Sequence, residues 1–83
     1  MNRDWVLFHL REARDALDRM LAAIERDQEY GYGDFSPDMQ HLYHHVNTAW
    51  NARDATMAEV EPGSDDLFTR WSRMPEDLPT FEV

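Results

Sequence analysis

Apolar side chains in the first third of the chain recur with a helical period. Val6, Leu10, Ala13, Leu17, Met20 and Ile24 are spaced four, three, four, three and four, and no proline or glycine interrupts residues 2–28. That spacing predicts an amphipathic helix over about residues 3–28. Leu7 and Leu21 widen the stripe on one flank, His9 and Ala16 on the other. Asn2 is placed to cap this helix, with Asp4 in the first turn where an acid suits the helix dipole. The opposite face carries Arg11, Asp15, Asp18, Arg19 and Arg26, a mixed-sign surface that belongs in water.

Residues 29–36 break the pattern with two glycines and three aromatics, and read as a loop. Ser36-Pro37-Asp38 has the form of a helix start: a hydroxyl cap, proline at the first helical position and an acid behind it. The stripe Met39, Leu42, Tyr43, Val46, Ala49, Trp50, Met57 and Val60 extends that second helix over about residues 37–60, stopping before Pro62-Gly63. Ser64-Asp65-Asp66 then opens a short helix over about 65–73. Pro75 and Pro79 enforce an extended tail over 74–83, which reads as either a mobile acidic end or a strap across the other helices, the interleaved Leu78, Phe81 and Val83 favouring the strap. The expected fold is all-α: an antiparallel two-helix hairpin, a short third helix and an extended tail, in one domain.

Charge narrows the function more than the pattern does. Seventeen acids against eight arginines leave a net charge of −9, which opposes a direct grip on nucleic acid or on an anionic membrane. Over half of it sits in residues 55–83, where seven acids meet two arginines. With no cysteine there is no disulfide framework and no thiolate chemistry, and no signal peptide is readable, so the expected compartment is the cytoplasm. Ten aromatic residues are too many for a disordered chain of this charge.

Candidate chemistry concentrates in His41-Leu42-Tyr43-His44-His45. At about 100° per residue, His41 and His45 lie about 40° apart on one helix face, the spacing of helix-borne metal ligands. They are the candidate ligands for a divalent transition metal, although no His-Glu-x-x-His or Glu-x-x-His motif accompanies them. A hairpin turning near residues 32 and 33 would pair positions whose numbers sum to about 65, placing His9 beside Thr56, about 16 Å beyond His45. On that register His9 stands outside the cluster. The same register sets Arg53, inside the apolar stripe, beside Glu12, and a structural ion pair between them is expected. No serine, phosphate-loop or paired-carboxylate motif supports catalysis, so none is assigned and no cofactor is required.

The second helix differs from the first in its back face, which shows His41, His44, His45, Thr48, Asn51, Ala52 and Ala55 and no charge. A helix contacted on two sides explains this, and a homodimer meeting at Thr48, Ala52 and Ala55 would complete a four-helix bundle. The stretch His41-Leu-Tyr-His-His-Val-Asn-Thr-Ala-Trp50 resembles helices of the DinB-like metal-binding four-helix bundles. That family draws its ligand histidines from separate helices, so the resemblance spans half a bundle and carries no function with it. Three readings follow: a helical interaction or assembly module without catalysis, a metal-binding bundle using His41 and His45, and an acidic decoy for a basic protein surface.

Overall fold

The computed structural model describes residues 1–60 and 65–79, and every regular element among them is a helix. They run in the order α1 (Arg3–Arg26), α2 (Tyr32–Asn51), α3 (Met57–Val60) and α4 (Asp65–Trp71). α1 and α2 form the expected antiparallel hairpin, and α4 packs on α2. The predicted cap holds: Asn2 Oδ1 accepts from the Trp5 amide at 3.1 Å. The same side chain also donates through Nδ2 to the Ala55 carbonyl, and the Asn2 amide donates to the Arg53 carbonyl at 2.6 Å. One asparagine therefore starts α1 and ties it to the turn after α2.

The connection between the long helices is shorter and earlier than residues 29–36. α1 ends at Arg26, and Asp27 turns the chain by accepting from the Glu29 amide on its side chain and from the Tyr30 amide on its carbonyl. α2 begins at Tyr32, with Gly31 at its cap and the Asp34 carboxylate accepting from the Gly31 amide. Tyr30 Oη donates to Asp38 across the junction at 2.6 Å. Pro37 consequently lies inside α2 and not at its start. The carbonyl it leaves without a helical donor belongs to exposed Gly33, where water can serve it.

At its other end α2 stops at Asn51, well short of residue 60. Ala52, Arg53 and Asp54 form a turn, and a new start follows, in which Thr56 Oγ1 accepts from the Glu59 amide and Glu59 Oε1 accepts from the Thr56 amide. This reciprocal box opens α3. The helix expected over 65–73 is present as α4, and its proposed cap Ser64 lies outside the described residues, as do Pro62, Gly63, Phe81 and Val83.

The segment after α4 is a strap held by side-chain amides of α2. Asn51 Nδ2 donates to the carbonyls of Trp71 and Arg73 at 2.8 and 2.7 Å, and Asn47 Nδ2 to that of Ser72 at 3.0 Å. Farther along, Asp77 accepts from Trp50 Nε1 at 2.8 Å and pairs with Arg53 at 3.2 Å. Arg53 also stacks over the Trp50 ring at 4.1 Å. The ion pair with Glu12 does not form, because the hairpin register brings Arg53 level with Asn2.

The helix contact itself is built from small and polar residues. Ala13, Ala16 and Met20 of α1 are buried with Ala49 and Ala52, while Leu7, Leu10, Leu17, Leu21 and Ile24 stay 42–50% exposed. The buried face of α1 is thus rotated from the leucine stripe toward the His9–Ala16 flank. Alanines permit a close approach of the two backbones, which the leucines would hold apart. Thr48 and Ala52 are each 2% exposed and Ala55 is buried, so the chain itself covers the face expected to meet a second copy. No helix among the described residues is long and apolar enough to cross a membrane.

The strap depends on the two asparagines. Replacing Asn51 by Ala strands two carbonyls and should lower the unfolding free energy by about 1 to 2 kcal/mol. Urea titration measures this, with faster proteolysis within residues 72–79 as the companion signal. A loss below about 0.5 kcal/mol would show that apolar packing alone holds the strap.

Candidate metal centre

All four histidines of the chain meet at one place. His9 faces His45 and Asn2 faces Arg53, so facing numbers sum to 54 and 55 and not to about 65. His9 therefore slides along α2 by some eleven positions, about 16 Å, relative to the expected register. The early, short connection causes the shift. His9 is 4% exposed and His45 is buried, and their Nδ1 atoms lie 3.0 Å apart. On the other edge of the same ring, His45 Nε2 lies 3.1 Å from His41 Nε2. His44 packs beside both, with ring centroids 4.7 Å from His45 and 5.9 Å from His9, and Thr48 Oγ1 is 3.4 Å from its Nδ1.

One nitrogen from each of His9, His44 and His45 falls within 4.8 Å of the others. Tetrahedral coordination with bonds near 2.0 to 2.1 Å sets donor nitrogens about 3.3 Å apart. The His9–His45 pair is already close to that spacing, and His44 would have to swing inward to complete a three-nitrogen set. The structure thus brings the expected pair His41 and His45 together, their Nε2 atoms 3.1 Å apart, and sets His9 and His44 on the other side of His45 as a second candidate group. The signal for His9 in the sequence is its place on the flank of the first helix's stripe that the structure buries.

Aromatic rings wall the cluster. Trp5 meets His9 edge to face at 4.4 Å, Phe8 meets it at 5.1 Å, and Phe68 of α4 lies 4.3 Å from His44. Trp71 closes on Trp5 at 6.3 Å. Burial therefore dominates the acid–base behaviour. It holds His9 down to about 4, with His45 and His44 adding repulsion. Burial also lowers His44, helped by His41. For His45 burial again leads the downward shift, followed by His44 and His41, with Glu12 pushing up and Arg19 down. These imidazoles are neutral at pH 7 and present lone pairs without a proton to displace.

Compared with known protein families, curated proteins and solved structures, the chain matches none. The resemblance of residues 41–50 to DinB-like bundles thus has no family match behind it, and the site stands on its own geometry.

Acid should unfold the metal-free protein through this cluster. The histidines bind protons more weakly in the folded chain, so the unfolded chain gains protons first as pH falls. Their contribution is complete above the ordinary histidine value of 6.5 and is lost progressively as pH drops toward about 4. Urea midpoints measured at pH 7.5, 5.5 and 4.5 should fall steadily, and the His9→Leu variant should show a flatter profile. A midpoint unchanged between pH 7.5 and 4.5 would contradict the assigned burial.

Proposed function

We propose that this chain is a helical metal-binding module that holds one divalent transition metal, zinc in the first instance, between His9, His44 and His45. The observation that carries the reading is the meeting of buried His9 and His45 nitrogens at 3.0 Å from two different helices, with a His44 nitrogen within 4.8 Å of both. Imidazoles suit zinc, copper, nickel and iron, and three neutral ones from rigid helices form a preorganised donor set. His41 supports it from outside: a metal on His45 Nδ1 leaves the proton on Nε2, which then donates to His41 Nε2. Such a partner orients the ring and raises its basicity. A three-histidine site leaves a fourth position open, where a bound metal supplies Lewis acidity.

The test is a calorimetric zinc titration of protein purified without a histidine tag. One equivalent should bind, and the thermal midpoint should rise with it. His9→Ala should weaken binding by at least about 100-fold, and His41→Ala by about 10- to 100-fold while leaving the stoichiometry unchanged. Circular dichroism confirms that each variant is helical. Zinc uptake unaffected by His9→Ala, or no uptake, would refute the site.

A second reading, that of an assembly module, is favoured by a different observation. On α1, Leu10, Leu17 and Ile24 lie across the His9–Ala16 line from Trp5, which touches Trp71; on α2, Val46 lies across His45 from His44, which touches Phe68. Both apolar flanks therefore share the side of the hairpin opposite α4. They are exposed, together with Leu21 and Phe35. A second copy laid on this side would give a four-helix bundle, by a face other than Thr48, Ala52 and Ala55. Sedimentation should then show a dimer that Leu17→Glu converts to monomer; a wild-type monomer at high micromolar concentration would reject it.

A further inference from the structure

Among the described residues, two buried side-chain nitrogens lack a hydrogen-bonding partner: Trp5 Nε1 and His9 Nε2. The residues are one helical turn apart on α1, with their rings 4.4 Å apart. Both line the same half-open cavity of about 220 Å³ between the hairpin and helices α3 and α4, walled also by His44, Thr48, Glu59, Val60, Phe68 and Trp71. Buried polar atoms without partners cost stability, and two on the wall of one space call for an acceptor that no described residue supplies, Glu59 Oε1 being taken by Thr56.

We infer that this cavity binds a small, mostly apolar molecule that presents a carbonyl or carboxylate oxygen to Trp5 Nε1–H and His9 Nε2–H. The proposal rests on the metal reading in one respect: a metal on His9 Nδ1 fixes the hydrogen on Nε2 and makes it a donor. The Trp5 indole is a donor in any case. An apolar cavity of roughly 150 Å³ takes up benzene, so this one has room for a monosubstituted ring. Its aromatic walls supply the apolar contact, and the two N–H groups select for oxygen at one end. A ligand so placed borders His9 and His44, two residues of the proposed donor set.

The experiment titrates acetophenone, benzoate and ethylbenzene into zinc-loaded and metal-free protein, following the indole N–H resonances by nitrogen–proton correlation. The expected result is a downfield displacement of the Trp5 indole N–H by acetophenone or benzoate, each binding at least about tenfold more tightly than ethylbenzene. Trp5→Phe keeps the ring and removes the donor, so it should erase that preference, with circular dichroism confirming that the variant is helical. A preference for acetophenone marks a carbonyl ligand, and one for benzoate a carboxylate. Equal binding of ethylbenzene, a preference that survives Trp5→Phe, or no displacement by any of the three would overturn the proposal, the last leaving water as the occupant. Oxygen-dependent binding supports it with or without zinc uptake, and failed uptake beside such binding overturns the metal reading alone.

Discussion

Bringing His9 level with His45 is the constraint on which the other arrangements depend. Two imidazoles in contact at 3.0 Å occupy a helix interface where leucines would ordinarily sit. Around them the interface narrows to Ala13, Ala16, Ala49 and Ala52, which lets the helices approach closely. Once that register is set, Asn2 reaches Ala55 and Arg53, and the turn after α2 is pinned to the start of α1. The pinned turn brings α3 and α4 back beside His44 and Trp5, where they form the far wall of the half-open cavity.

The hairpin consequently has two unlike sides. The side under α4 is partly covered, polar at its centre and rich in aromatic rings. The other is open and carries leucine, isoleucine, phenylalanine and valine. Polar groups inside and apolar groups outside are each costly for an isolated small domain. A bound metal would offset the first by turning buried imidazoles into ligands, and a second copy would offset the second by covering the open side. The two readings of function thus answer separate physical demands of one fold.

Much of this architecture was legible in the residues. The helical class, the Asn2 cap, the hairpin, the short helix near residue 65 and the strap all follow from periodicity, capping chemistry and proline. The second helix was misplaced at both ends because Ser36-Pro37-Asp38 is a stronger local start than Gly31 with Asp34, and tertiary contacts chose the weaker one. The Thr56-x-x-Glu59 box was present in the sequence but was absorbed into a continuous stripe that ran to Val60. Those boundary errors moved the hairpin centre, and the displacement removed His9 from the cluster and set Arg53 against Glu12 in place of Asp77. The contact face was misjudged for another reason. The apolar arc of α1 is wider than one helix contact, and periodicity does not say which part of it small residues will draw into the interface.

The metal geometry is open to a direct measurement. X-ray absorption at the zinc edge of the protein loaded with one equivalent should show a nitrogen shell at about 2.0 to 2.1 Å, with the outer-shell scattering of three imidazoles. The His9→Ala variant should show two. A wild-type spectrum made only of oxygen neighbours, or one whose imidazole count is unchanged by removing His9, would contradict the centre.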